Sequence, residues 1–338
     1  MRSAVVSSPV SFFAAPKGSS DVHQRAPMYT YAAFGGVLRS EIEFPELIGA
    51  ADGVSANWTV SVERREPSWE GFLPIGERKI REEQYRLWRC ATGLRLEYSH
   101  AGTFDLLGDG SRIVWYHRAD ALPELVRSII IGPVIALALE LGGFLCLHGS
   151  AVTIDSRAIA FLGPKHFGKS TLATALTTAG AKLLGDDLLV VSPGPPAVVC
   201  PGVASVRLWS DMAAALPLDT VCNTLIPGVK TTVTNFAEGA LAQKPAIIEA
   251  IYVLSPLARD ADGPAVRRTR LPRIEATVAL AHQTKLPDIL VGFRAAGSQL
   301  ASAAAVAASV PVWTLHTIRD VGRLGATVRQ LIEWTCRE

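Results

Sequence analysis

The sequence predicts an α/β protein: a phosphate-loop domain on a mixed sheet, preceded by a smaller, mainly antiparallel β domain. Three observations predict it. An apolar run, Ala158 to Leu162, enters a glycine-bounded loop that leads into helix formers at Leu172, Ala175 and Leu176. An antiparallel hairpin precedes that loop, and a strand ending in two carboxylates follows its helix. Upstream, apolar and polar residues alternate with the period of strands.

Taken in order, residues 1–27 read as a disordered leader. The short apolar patch at Phe12 and Phe13 is interrupted by Ser, Pro and Lys, which makes a poor secretory signal. Residues 28–119 form the β domain. Trp58, Val60 and Val62 alternate with polar residues, as do Leu87 with Arg86 and Arg89, and Leu94, Leu96 and Tyr98 with Arg95 and Glu97. Gly35-Gly36, Ala101-Gly102 and Gly108 to Gly110 mark turns. This half shows no metal-ligand spacing and no nucleophile constellation, and its aromatic residues are expected in the core.

The phosphate-loop domain is placed at 120–338. A helix is expected from about Asp120, with Pro123 in its first turn, to Leu141, ended by Gly142-Gly143. Phe144 to Asp155 reads as a strand with a break at His148-Gly149, turning at Asp155 to Arg157 into the strand of Ala158 to Leu162. Leu188 to Val191, Val198 to Cys200, Ser205 to Trp209, Ile247 to Leu254 and Pro311 to Leu315 read as further strands. Ser298 to Ala308 and Val321 to Trp334 read as helices. Pieces around 193–202 and 255–264 read as loops, 210–245 as a mobile flap, and Arg267, Arg268 and Arg270 as a solvated basic face.

The totals exclude some classes. Net charge is +2, with 33 basic against 31 acidic residues, so bulk charge favours neither nucleic acid nor an anionic membrane as partner. Five cysteines, Cys90, Cys146, Cys200, Cys222 and Cys336, lack paired spacing and fit reduced thiols in the cytoplasm. Leu125 to Leu145 holds Arg127, Pro133 and Glu140, which suits a buried helix rather than a membrane span.

The loop Gly163, Pro164, Lys165, His166, Phe167, Gly168, Lys169, Ser170 fits G-x-x-x-x-G-K-[ST]. Its glycines let successive N–H groups turn inward on phosphate oxygens, and the helix start, with Thr171 in its first turn, adds unpaired N–H donors. Lys169 is expected to reach the β- and γ-phosphates of ATP, and Ser170 to ligate Mg²⁺. Asp186-Asp187 follows Lys169 closely, on the strand after the first helix. Two carboxylates there suit metal binding and hydroxyl deprotonation. We expect Asp186 to take the acceptor proton and Asp187 to help hold Mg²⁺, with the two roles exchangeable. His148, before the loop, is either a core histidine or an active-site group. Lys165, Arg207 and Lys230 are candidate accessory cations.

His148-Gly149, the hairpin, Gly163 to Ser170 and Gly180 to Leu188 together resemble the catalytic domain of HPr kinase/phosphatase, over roughly residues 144–210. That family's domain resembles phosphoenolpyruvate carboxykinase. The resemblance implies a Mg²⁺- and ATP-dependent serine kinase, phosphate contacts for Lys169 and Ser170, metal and acid/base roles for Asp186 and Asp187, and an active-site role for His148. Two departures point away from HPr as substrate. Lys165-His166 stands where the family has Ser-Gly, and the family's Glu-x-Arg-Gly-x-Gly run is absent, with Ser205 to Trp209 near its place. The run Tyr31 to Leu47 resembles instead the HPr-kinase-like proteins of lasso-peptide biosynthesis, which phosphorylate a serine at the C-terminal end of a precursor peptide. The partner expected is thus a peptide or small protein with an acceptor serine, and a homo-oligomer stays open. Rival readings are a non-catalytic ATP-binding regulatory or scaffold protein, and a small-molecule kinase.

Overall fold

The computed structural model describes residues 27–51, 53–80, 83–209, 230–234, 236–259, 261–285 and 296–336. The expected leader, apart from its last residue, lies outside these residues. So do Cys222, Lys230's side chain and most of the expected flap.

Nine strands build the first sheet: β1 (Tyr29–Ala33), β2 (Gly36–Ser40), β3 (Ile48–Gly49), β4 (Trp58–Glu63), β5 (Leu73–Ile80), β6 (Glu83–Cys90), β7 (Gly93–Tyr98), β8 (Gly102–Leu107) and β9 (Arg112–Tyr116). Their order is β3-β1-β2-β4-β9-β8-β7-β6-β5. The pairing is antiparallel except at β2–β4 and β4–β9, which are parallel. The period-2 pattern sorts the faces: Leu94, Leu96, Phe104, Leu106, Ile113 and Trp115 join one core, while Arg95, Asp105 and Tyr116 fall on the other face.

The inner face is covered by α1 (Pro123–Ile129) and α2 (Ile135–Leu141). The expected single helix is instead interrupted by a π turn at Ile130–Val134. Pro133 explains it: proline has no N–H to donate and its ring crowds the preceding turn, so the backbone takes the wider spacing. Val126 to Leu139 share one core with the first sheet and with Cys146, Leu188, Val190 and Cys200 of the second. The two helical segments are thus packed between two sheets. Among the described residues no helix is long and apolar enough to cross a membrane.

The second sheet is mixed. Its strands are β10 (Leu145–Leu147), β11 (Gly149–Ile154), β12 (Arg157–Leu162), β13 (Lys182–Asp186), β14 (Leu189–Ser192), β15 (Val198–Cys200), β18 (Ala246–Leu257), β19 (Val266–Arg270) and β20 (Val312–Ile318). A separate two-stranded ribbon pairs β16 (Val206–Trp209) with β17 (Lys230–Val233). The main path runs β10-β14-β15-β18-β12-β11-β13, with β20 between β18 and β19. Pairs β12–β18 and β18–β20 are parallel, so the C-terminal ends of three strands meet at one edge.

Both faces of this sheet are covered, which is why β12 reads as an unbroken apolar run. Ala158, Ala160 and Leu162 face a core with Leu280 and Val306, from α4 (Arg273–His282) and α5 (Ala296–Ser309). Ile159 and Phe161 face the opposite core, with Leu172 and Leu176 of α3 (Lys169–Thr178) and Leu331 of α6 (Val321–Cys336). Phe161 is fully buried and stacks on Tyr252 at 5.9 Å. Helix α4 has no counterpart in the sequence reading. The basic run is not a free solvated face: it is strand β19, where the Arg268 guanidinium lies over Trp313 at 4.3 Å and Trp334 at 4.5 Å. Strand β18 also continues to Leu257, into the stretch expected as a loop.

Candidate functional site

The site lies where β12 gives way to α3. Three loop residues have positive φ: Gly163 (140°), His166 (71°) and Gly168 (95°). Gly168 is the left-handed cap residue of α3, and no side chain caps that helix or places acid in its first turn. The first N–H groups of α3 are therefore the kind of donors that phosphate oxygens take. Lys169 is 7% exposed, and its ammonium donates to Gly163 O at 2.7 Å and Pro164 O at 3.1 Å, arching across the loop. Lys165 is exposed, Phe167 packs against the core below, and Thr171 sits beyond Ser170 in the first turn of α3.

Asp186 ends β13 directly opposite Ser150 of β11. That cross-strand register brings the Ser150 hydroxyl to Asp186 Oδ1 at 2.5 Å. Ser170 of the loop donates to the same oxygen at 2.8 Å, and the Arg207 N–H donates to Oδ2 at 3.0 Å. Asp186 is buried, at 7% exposure. It joins the loop, the sheet and the β16 ribbon through one carboxylate.

Asp187 leaves the strand with φ 69°, a left-handed turn that aspartate tolerates better than most residues. Its carboxylate meets a different set of partners. His148 Nδ1 lies 3.2 Å from Oδ1, and Lys285 Nζ lies 2.6 Å from Oδ2. An ionised carboxylate only accepts, so Nδ1 carries the proton shared with Asp187. Burial by itself would raise the Asp187 pKa. The His148 hydrogen bond and the Lys285 charge outweigh it and hold the carboxyl well below its usual range.

His148 occupies the break between β10 and β11, where the chain changes partners from β14 to β12 and β13. The sequence break at His148-Gly149 marks this point. Gly149 is required there: a Cβ would meet Phe161 O at 2.7 Å and the Leu162 and Leu189 side chains at 2.6 and 2.8 Å.

Five contributors escaped the sequence reading. Gln283 accepts the Gly163 N–H on Oε1 at 3.1 Å and the His148 N–H on its carbonyl at 2.6 Å. Lys285 donates its N–H to Cys146 O at 2.8 Å. The short segment after α4 thus braces the loop, His148 and Asp187 together. Trp209 stacks on the His166 ring at 5.1 Å and 20°, and Arg319, just past β20, donates to His166 O at 3.1 Å. Ser150 alone carried a local signal, since it lies two residues from His148 on a strand already singled out.

The HPr(Ser) kinase/phosphatase from Coxiella burnetii is a solved structure similar to this chain. The two are 14% identical, with a TM-score of 0.32, and the match covers 57% of this chain and 99% of that one. No family model matches the chain, and no curated protein matches it. The chemistry of the site rests on its own geometry.

Proposed function

We propose that the chain is an ATP-dependent serine kinase of the HPr-kinase-like kind, acting on a ribosomal precursor peptide of the lasso class. One observation carries the reading: two adjacent carboxylates divide the site. Asp186 is tied to the loop serine, and Asp187 to an imidazole and an ammonium. A loop that only held nucleotide would not call for the second cluster.

Magnesium fits the residues present. Ser170 Oγ and the Asp186 carboxylate are hard oxygen donors 2.8 Å apart. Mg²⁺ takes one or two protein oxygens, completing its shell with water and phosphate, rather than a cage of carboxylates. Among the described residues no group of three metal-ligating acids, histidines or cysteines exists. Ser170 and Asp186 would hold the ion, and when bound it would neutralise charge between the β- and γ-phosphates. This assigns the metal side to Asp186 and the acceptor side to Asp187, the reverse of the first expectation.

The chain's own groups do the rest. The loop N–H donors and Lys169 hold the triphosphate, the ammonium leaving the Gly163 and Pro164 carbonyls for phosphate oxygen. Asp187 orients the serine hydroxyl and accepts its proton as the oxygen attacks the γ-phosphorus. The bond from that phosphorus to the bridging oxygen breaks, and ADP departs. His148 and Lys285 fix the carboxylate for that role. The test is direct. Purified protein with ATP, Mg²⁺ and a precursor peptide ending in serine should add one phosphate by mass; an unchanged peptide mass defeats the reading.

A further inference from the structure

We propose that the rim of this site recognises an acidic segment flanking the acceptor hydroxyl; the inference rests on the kinase reading and names its substrate class. Three cations surround the loop tip. Lys165 is on the tip itself. Arg319 is anchored by one guanidinium N–H to His166 O, which leaves its other donors outward. Arg207 is two residues before Trp209 on β16. The pleat puts both side chains on one face, opposite the buried Val206 and Leu208. The stack of Trp209 on His166 fixes that face against the loop tip. All three cations are exposed.

The local acids are otherwise engaged. Asp186 and Asp187 point into the site, and Asp320 accepts the Gly322 N–H at 3.1 Å and lies 3.8 Å from Arg259. Among the described residues no carboxylate pairs with the side chain of Lys165, Arg207 or Arg319; the Arg207 bond to Asp186 comes from its backbone N–H. The triphosphate has its own donors in Lys169 and the loop amides, deeper in the site. A rim of unneutralised cations around a deep phosphate cradle is complementary to negative charge on whatever approaches the γ-phosphate. For a peptide acceptor, that charge is Asp, Glu or a free C-terminal carboxylate beside the serine.

The experiment compares two fluorescein-labelled serine peptides, alike except that acidic residues flank the serine in one and lysines in the other. Anisotropy is read on the full chain with Mg²⁺ and a non-hydrolysable ATP analogue. The acidic peptide should bind about tenfold more tightly, since three rim charges of modest strength add. The preference should fade as salt rises. Lys165→Glu combined with Arg207→Glu should reverse it. Equal affinity for the two peptides, or a preference that survives the charge reversal, overturns the proposal. So does a matching loss of affinity for the analogue in the double variant, which would assign these cations to the nucleotide. Phosphate transfer by the wild-type chain is scored separately. Acidic preference without transfer leaves this surface standing and removes the kinase reading. Equal transfer to both peptides with equal binding does the opposite.

Discussion

Two ion clusters in this molecule are finished differently: one is built from strand residues, the other from residues where strands end or break. On the outer face of the first sheet, Arg95 and Asp105 form a bidentate pair, Nε to Oδ1 at 2.6 Å and Nη2 to Oδ2 at 2.7 Å. Their side chains are 2% and 6% exposed. The remaining valences are also met. Arg95 Nη1 donates to Ser68 O at 2.5 Å, the Tyr116 hydroxyl donates to Asp105 Oδ2 at 3.1 Å, and the guanidinium lies 3.8 Å from the Phe72 ring centre. Beside the second sheet, the Asp187 side chain is 46% exposed, sits on a left-handed backbone, and is held by the His148 imidazole and the Lys285 ammonium. Sealed and saturated polar clusters specify structure; strained, half-open ones are where chemistry is done.

The largest effect expected from this contrast is on phosphate transfer. Asp187→Asn keeps the shape and removes the proposed proton acceptor, so transfer should fall by about 10²–10⁴-fold. Thermal stability should fall as well, since the part-buried Lys285 ammonium loses its charge partner, but by less than at Arg95 because Asp187 is half-exposed. Asp186→Asn should also lose transfer, and should weaken Mg²⁺-dependent nucleotide binding measured by calorimetry, which Asp187→Asn should leave nearly intact. Equal loss of nucleotide binding in both variants would mean that the two carboxylates do not divide the work.

The first-sheet pair should show the inverse pattern. Arg95→Met leaves a buried carboxylate without its partner and should cost about 3–5 kcal/mol of stability by denaturant unfolding. Removing both charges together, Arg95→Met with Asp105→Leu, should recover most of that loss. Nucleotide affinity should not move in either variant while the protein remains folded. A drop in nucleotide affinity without unfolding would show that the outer face is coupled to the site.

How much of this was legible depended on the distance over which each feature is encoded. The loop, its strand and its helix are contiguous, and glycines at 163 and 168 announce the backbone they adopt. The break at His148, the strand ending at Asp186 and the strands near 250 and 314 were likewise readable from local pattern. The π turn was foreshadowed only by Pro133. Helix α4 carries Ile274 and Val278 exposed, so its apolar pattern does not mark one buried face. Gln283 and Lys285 lie more than ninety positions from the groups they brace, 120 for Gln283 to Gly163 and 98 for Lys285 to Asp187, and only the fold brings them there. The Arg95–Asp105 cluster was hidden for a related reason. Its residues look like the polar half of an alternating strand, and what buries them is the separate segment carrying Ser68, Trp69 and Phe72.

A smaller effect tests that brace. Gln283→Ala removes an acceptor for the Gly163 N–H while leaving the backbone bond to His148 in place. The lost side-chain hydrogen bond should cost about 1 kcal/mol. Because the loop begins at Gly163, nucleotide affinity should weaken by about fivefold, consistent with that energy. Gln283→Glu, which still offers an acceptor at the same reach, should retain more affinity than alanine. If alanine and glutamate variants bind nucleotide alike, the side chain is not bracing the loop.

The smallest effect is expected at the loop tip, where two opposing contributions meet. His166 holds φ 71°, a conformation that costs an L residue about 1–2 kcal/mol, and it is retained by the Trp209 stack and the Arg319 hydrogen bond to its carbonyl. His166→Gly removes the backbone cost and the stack together, so stability should change by less than about 1 kcal/mol. His166→Val keeps the cost, loses the stack and adds a β-branch at left-handed φ, so it should be the worse of the two and should weaken nucleotide binding. Trp209→Ala separates the contributions. If the stack is what holds the left-handed residue, that change should harm wild-type His166 but have little further effect once glycine is in place. Additive losses in the double variant would show instead that Trp209 stabilises the β16 ribbon independently of the loop.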